Sequence, residues 1–222
     1  MSNWPDWLPL RSDLTELTPY GAPQISDVVA LNTNENPFAL PESVVKEMLA
    51  QLPKVLANLN RYPDRDAIEL RKSLATYINN QSATNFGIQN TWAANGSNEI
   101  LQTLVLACGN KGVLGFTPSY SMHPLISKVC GAKWTDGTRN SDYSLDVAKS
   151  VAQILEVKPS IVFVTTPNNP TGNSISLADI QELAKAARKV SALLVVDEAY
   201  EEFSSVDSAV TLINQFENLV VV

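Results

Sequence analysis

The stretch LLVVDEAY (193–200) runs four apolar residues directly into a carboxylate pair and a tyrosine. Three other short apolar runs occur in the chain, VLGF (113–116), IVFVTT (161–166) and LVVV (219–222). These runs are continuous rather than alternating, which is typical of strands covered on both faces. Because segments with helical periodicity separate them, the sequence predicts an α/β fold with a mostly parallel sheet sandwiched by helices.

Four segments carry the helical pattern. An apolar face recurs in PESVVKEMLAQL (41–52), and DAIELRKSLATYI (66–78) predicts a second helix. A third is expected to follow GSNE (96–99), and a fourth covers SLADIQELAKAARKV (176–190) with a near capping box at its start. The first residues lack sustained periodicity, so we interpret 1–30 as an N-terminal arm.

Bulk composition excludes several classes of protein. The chain has 222 residues, 45% of them hydrophobic and 18% charged, which is ordinary for a globular protein. A net charge of -7 disfavours non-specific binding to nucleic acid and to anionic membranes. No apolar run approaches the roughly 20 residues of a membrane span, and the N-terminus lacks the pattern of a secretory signal. We therefore expect a cytoplasmic protein.

The cysteines and the single histidine suggest no metal site. Cys108 and Cys130 lack metal-type spacing and lie among apolar neighbours, so we interpret them as reduced thiols. His123 belongs to no metal cluster or catalytic triad that the sequence reveals, and we interpret it as structural.

In parallel sheets, ligands bind beyond the carboxyl ends of the strands, so the residues after each apolar run are the candidates for a site. Gly96, Ser97 and Asn98 precede a predicted helix, whose free N–H groups suit a phosphate, although an ordinary helix cap explains this motif equally well. Tyr120 follows the run at 113–116 and could stack on a planar ligand or simply pack in the core.

The two remaining strand ends carry amides and an acid. PNNPTG (167–172) is typical of a turn, yet its adjacent asparagines could hold a polar ligand. Asp197 ends a buried run, where a carboxylate needs a partner. Pyridoxal phosphate is a planar, phosphorylated, protonatable heterocycle, and it could bind to the candidate residues at all four positions. We expect this cofactor, rather than another side chain, to be the partner of Asp197.

The chain resembles the pyridoxal-phosphate-dependent aminotransferases of classes I and II, and within them the histidinol-phosphate aminotransferase group. The resemblance spans nearly the whole chain, and PNNPTG followed by VVDEAY is its strongest joint signature. It implies an aspartate-aminotransferase-like large domain over 31–222. The motifs that carry it are LTPYGAP (17–23), LNTNENP (31–37), NRYPD (60–64), GSNE (96–99), PSY (118–120), PNNPTG (167–172) and VVDEAY (195–200).

The resemblance also implies roles for the matched cofactor-binding residues. Asp197 would pair with the pyridine nitrogen, and Tyr120 would stack on the ring. Asn169 and Tyr200 would hydrogen-bond the phenolic oxygen. The backbone from Gly96 to Asn98, with Ser97 between them, would bind the cofactor phosphate.

Further implied roles concern the substrates and a second subunit. Family members are homodimers, and Tyr62 would reach the phosphate in the neighbouring subunit. Tyr20 and Asn34 would lie near the substrate. The substrates implied are a small-molecule amino-group donor, L-histidinol phosphate, and a 2-oxo acid, 2-oxoglutarate, in histidine biosynthesis.

One departure from the family pattern is serious. The Schiff-base lysine of the family lies shortly after the strand that corresponds to LVVV (219–222), and the sequence ends before it. No lysine in the chain falls at the matching position, so no catalytic residue is assigned. We expect an amino-terminal portion without the small C-terminal domain, inactive alone.

Other functions fit the same sequence. An aromatic-amino-acid aminotransferase or a threonine-phosphate decarboxylase would share the fold and the cofactor. A truncated, non-catalytic interaction module would explain the absent lysine. A nucleotide-binding α/β protein would share the phosphate-binding helix start, but the sequence contains neither a G-x-G-x-x-G nor a G-x-x-x-x-G-K-[ST] pattern.

Overall fold

A five-stranded parallel sheet lies at the centre of the second of the two units into which the chain divides, Met1–Ala67 and Ile68–Val222. All four strand pairings are parallel, in the order β2-β1-β3-β4-β5. The strands are β1 (Val113–Thr117), β2 (Trp134–Thr138), β3 (Ile161–Thr165), β4 (Leu193–Asp197) and β5 (Leu219–Val221). The computed structural model describes residues 4–5, 7–18, 21, 25–29 and 35–222.

Helices separate the strands along the chain. The first unit contains α1 (Glu42–Leu56), and the second contains α2 (Ile68–Ser82), α3 (Ser97–Cys108), α4 (Met122–Val129), α5 (Val147–Val157) and α6 (Leu177–Lys189). The predicted fold class, a parallel sheet with helices, is confirmed. Strand β2 and helices α4 and α5 were not predicted.

Alternate residues of the strands pack against different helices. In β4, Leu194 and Val196 belong to one buried cluster that includes residues of α5 and α6. Val195 points to the opposite face and joins a second cluster with residues of α3 and α4. The sheet is therefore covered on both faces, which explains why its central strands are continuously apolar.

A tight side-chain contact joins β1 to its neighbour β2. Gly115 pairs with Asp136, and a Cβ atom added at Gly115 would lie 2.3 Å from the Trp134 ring. Glycine at this position therefore lets the indole ring cross the strand. The contact packs β2, one of the two edge strands, against β1.

Helix α1 of the first unit keeps its apolar side chains exposed. Helix α1 has no buried residue, and Met48 and Leu49 are each about 60% exposed. Tyr62, which follows this helix, is fully exposed. Tyr20 and Asn34 lie outside the described residues. Within the described part of the chain, every helix is too short or too polar to cross a bilayer.

Candidate cofactor site

Asp197 is the last residue of β4 and lies at the carboxyl edge of the sheet, opposite Thr165 of β3. Its side chain is 3% exposed. Its carboxylate atom Oδ1 accepts a hydrogen bond from the backbone N–H of Ala199 at 3.2 Å. The strand thus delivers a buried acid to the region where a parallel sheet binds ligands.

A side chain already partners this acid, contrary to the expectation that only the cofactor would do so. His123 Nε2 lies 2.9 Å from Asp197 Oδ2, and both side chains are buried. Because an ionised carboxylate only accepts hydrogen bonds, Nε2 carries the hydrogen when Asp197 is charged. A carboxylate has about four acceptor positions, so this contact and the Ala199 N–H leave capacity for a further donor.

Two aromatic rings hold the imidazole of His123 in place. His123 stacks on Phe163 with ring centroids 4.6 Å apart, and Tyr120 meets it edge-on at 5.4 Å. A residue interpreted from sequence as structural therefore belongs to the site through Asp197. Its position three residues after Tyr120, at the start of a helix beyond a strand, is the one sequence signal that could have indicated this.

The loops after β3 and β4 bring a second predicted pair together. Asn169 Nδ2 lies 3.4 Å from the hydroxyl oxygen of Tyr200, although 31 residues separate them in sequence. Both side chains are partly exposed. An amide and a phenol converging in this way can donate together to one acceptor atom of a ligand.

The start of α3 offers backbone donors without a side-chain cap. Gly96 precedes the helix with φ of 77°, a left-handed conformation that glycine adopts readily, and no side chain caps the first turn. Glu99 turns back and accepts hydrogen bonds from the backbone N–H and side-chain amide of Asn95, which lowers its pKa. The first N–H groups of α3 are therefore suited to an anion.

Tyr120 connects this helix start to the acid. Its hydroxyl lies 3.5 Å from Asn98 Oδ1, at the long limit of a hydrogen bond, while its ring touches His123. The second unit thus brings together most of the predicted cofactor-binding residues: Gly96, Ser97, Asn98, Tyr120, Asn169, Asp197 and Tyr200. Tyr62 belongs to the first unit.

Glu198 shares the DEAY motif with Asp197 but has a different environment. It accepts hydrogen bonds from the Ser208 hydroxyl at 2.5 Å and from the Ala209 backbone N–H at 2.7 Å. Burial raises the pKa of Glu198, while these two hydrogen bonds act in the opposite direction. Its contacts make it part of the scaffold beneath the loop.

One cavity of the second unit is mainly apolar. It measures about 610 Å³ and is lined mainly by apolar residues of α2 and β5, with Gly96 and Ser97 at its border. Asn169 and Tyr200 line a separate cavity of about 600 Å³. We locate the site by its polar groups, because the size of a cavity alone does not indicate which ligand binds there.

Comparisons with known proteins identify the family of the chain. The family model for aminotransferase class I and II matches residues 26–222. The chain belongs to the class I and II aminotransferases. It is 48% identical over 219 residues to a histidinol-phosphate aminotransferase of Mycobacterium avium, covering 98% of this chain and 54% of that protein. It is 49% identical over 219 residues to the enzyme of that name from Nocardia farcinica, covering 98% of this chain and 56% of that protein.

Solved structures agree on the fold. A Thermus thermophilus aspartate aminotransferase tetra mutant superposes with a TM-score of 0.77 at 21% identity, over 96% of this chain and 57% of that one. The chain therefore spans about half the length of the relatives it matches.

Class I and II aminotransferases depend on pyridoxal phosphate, and the residues present fit this group. Asp197 is buried with acceptor capacity to spare, as a protonated ring nitrogen requires. Asn169 and Tyr200 converge, as one phenolic oxygen requires. The uncapped start of α3 suits the phosphate.

Proposed function

We propose that this chain is the cofactor-binding part of a histidinol-phosphate aminotransferase. The whole protein would move an amino group from L-histidinol phosphate to 2-oxoglutarate in histidine biosynthesis, in the cytoplasm. The observations that carry the cofactor assignment are the buried Asp197 at the end of β4 and the contact between Asn169 and Tyr200, the latter in the loop that follows β4. Support for the substrate comes from relatives 48% and 49% identical that bear this enzyme's name.

Asp197 is the group that would set the electronic state of the cofactor. Its carboxylate would hold a proton at the ring nitrogen, and His123 would keep that carboxylate aligned through the 2.9 Å contact. When bound, pyridoxal phosphate supplies a ring that accepts the electron pair released at the donor's α-carbon. A buried carboxylate makes this proton harder to lose, because opposite charges attract strongly away from water.

The other residues would orient the ring. Asn169 and Tyr200 would donate hydrogen bonds to the phenolic oxygen, and Tyr120 would cover one face of the ring. The N–H groups from Gly96 to Asn98 would bind the phosphate. These contacts come from three different loops, so the ring plane would be fixed at several points.

The proposal extends to the quaternary structure and domain division. Residues 31–222 would belong to the large cofactor-binding domain and 1–30 to an N-terminal arm. The protein would be a homodimer in which Tyr62 reaches the partner's cofactor phosphate, and its full exposure is consistent with such a contact. Tyr20 and Asn34 would lie near the substrate.

Two measurements test the proposal. The first is a titration of the chain with pyridoxal phosphate followed by visible absorbance, and saturable binding that Asp197→Asn weakens is expected. The second uses the longest polypeptide encoded in frame with this chain. Its kcat/KM for L-histidinol phosphate should exceed that for aromatic amino acids, and threonine phosphate should not be decarboxylated. Higher kcat/KM with an aromatic amino acid, or no binding of the cofactor, would contradict the proposal.

A further inference from the structure

Arg139 follows β2 directly and bridges three parts of the carboxyl edge of the sheet. Its Nε donates to the backbone oxygen of Phe116 in β1 at 3.2 Å, and its Nη1 donates to the backbone oxygen of Tyr143 at 3.2 Å. Its Nη2 donates to Asn168 Oδ1, in the loop after β3, at 3.0 Å. One guanidinium therefore joins the ends of three neighbouring chain segments.

Directed hydrogen bonds, rather than charge pairing, hold this guanidinium. All three acceptors are neutral oxygens, and within the described residues Arg139 has no carboxylate partner. Burial lowers the pKa of Arg139 to about 10. Burial of the guanidinium charge without an opposite charge is unfavourable. The side chain therefore contributes through its planar guanidinium, which donates hydrogen bonds in fixed directions.

Asn168, which accepts one of these hydrogen bonds, also contacts residues of two loops. Its Oδ1 also accepts from the Ser119 hydroxyl at 2.8 Å, while its Nδ2 donates to the Pro118 backbone oxygen at 3.1 Å and to Thr171 Oγ1 at 2.7 Å. The side chain is 2% exposed and uses both donor hydrogens and both acceptor positions. The amide thereby ties the loop after β1 to the loop after β3.

We propose that Arg139 is a positioning residue for the cofactor site. Tyr120 follows Ser119 directly, and Asn169 follows Asn168 directly, so a shift of the Arg139–Asn168 contact would move both cofactor-facing residues. The inference rests on the proposed cofactor site. It assigns to Arg139 the task of setting the distance between the ring-stacking tyrosine and the asparagine that meets the phenolic oxygen.

The first test compares cofactor affinity in the chain and its variants. Arg139→Ala should raise the Kd for pyridoxal phosphate about tenfold, as for loss of a charged hydrogen bond. Arg139→Lys should do nearly the same, because one ammonium group cannot donate in three fixed directions. Ile154→Val, a core change in α5 outside both loops, is the matched control for general destabilisation. It should leave the Kd within twofold of wild type.

A double-mutant cycle tests whether Arg139 acts through Asn168. If it does, Arg139→Ala combined with Asn168→Ala should weaken binding no more than Asn168→Ala alone. Amide hydrogen exchange in segments 118–120 and 167–172 should also be faster in Arg139→Ala and unchanged in Ile154→Val. Additive losses in the cycle would overturn the inference.

The outcomes separate this inference from the proposed function. A wild-type chain that does not bind pyridoxal phosphate contradicts the proposed function, whatever Arg139 does. Wild-type binding with an Arg139→Ala Kd within twofold overturns only the inference. Unchanged hydrogen exchange in both loops of Arg139→Ala overturns it as well, with or without the cofactor.

Discussion

Two adjacent polar side chains lie near the carboxyl end of β3 and two more at that of β4, and in each pair one side chain belongs to the site and the other to the scaffold. After β3, Asn168 is buried in the scaffold while its neighbour Asn169 meets Tyr200. After β4 the order is reversed, because Asp197 belongs to the site while Glu198 bonds to Ser208 in the scaffold.

The reversal follows from where each strand ends. Asp197 is still part of β4 and inherits the direction of a strand residue, with Glu198 turned the other way. Strand β3 ends at Thr165, so the asparagines lie in a turn, where hydrogen bonds decide their directions. Chemical type alone therefore does not predict which member of a polar pair serves a ligand. Substitutions of the two members should have different consequences.

The largest effect is expected for Asp197→Ala. Breaking a buried charge pair costs about 3–5 kcal/mol, so affinity for pyridoxal phosphate should fall by about 100-fold or more. A visible absorbance titration measures this. Stability should also fall by about 1–3 kcal/mol, because His123 loses its buried partner. Equal affinity of Asp197→Ala and wild type for pyridoxal phosphate would contradict the assignment of Asp197, and not Glu198, to the cofactor site.

A smaller loss is expected for His123→Phe, which preserves an aromatic ring against Phe163 but removes the hydrogen bond to Asp197. A hydrogen bond to a charged group contributes about 1.5–3 kcal/mol, so the Kd should rise about tenfold or more. An absorbance titration measures the Kd, and an unchanged Kd in His123→Phe would contradict the role of this hydrogen bond.

The two asparagines should differ in their effect on stability. Asn168→Ala leaves several buried groups without partners and should lower the free energy of unfolding by about 1–3 kcal/mol. Asn169→Ala should leave that free energy within about 0.5 kcal/mol of wild type, because its side chain is partly exposed. Its Kd for the cofactor should rise only about threefold to tenfold. Urea unfolding and absorbance titration measure the two quantities, and a larger loss of stability in Asn169→Ala than in Asn168→Ala would contradict the assignment of Asn168 to the scaffold.

The smallest effect is expected for Glu198→Gln, the matched control for Asp197. Because burial raises its pKa, folded Glu198 binds its proton more tightly than the unfolded chain does. Its contribution to stability is therefore present at acid pH and is lost as pH rises from 4.5 through the raised pKa. Glutamine removes this dependence, so the variant should gain stability relative to wild type between pH 4 and pH 7, by roughly 1 kcal/mol or less. Urea unfolding across that range measures the difference, and cofactor affinity should not change.

The sequence predicted the fold from a few residues with strong patterns. Runs such as Val195 and Val196 are continuous because helices cover both faces of the sheet. Strand β2 was missed because WTDGT is largely polar and lies at an edge, where only Gly137 is buried. The bounds of helix α4 were not predicted, because the helix is only eight residues long and contains Pro124.

At the strand ends, residue type alone was enough to select candidates for the site. Asp197 and the adjacent asparagines of PNNPTG were selected in this way, whereas the roles of Asn169 and Tyr200 were implied by the family resemblance. His123 and Arg139 were not, because their importance arises from contacts with residues 74 and 29 positions away. Such contacts depend on strand order, which a single sequence does not specify.

The account depends most on the claim that Asp197 meets the cofactor's ring nitrogen. Nuclear magnetic resonance of pyridoxal phosphate labelled with ¹⁵N in the ring tests it directly, with wild type and Asp197→Asn compared at neutral pH. The ring nitrogen should be protonated when bound to wild type and unprotonated when bound to Asp197→Asn. Glu198→Gln should resemble wild type. The same ring-nitrogen signal in wild type and Asp197→Asn would contradict the account.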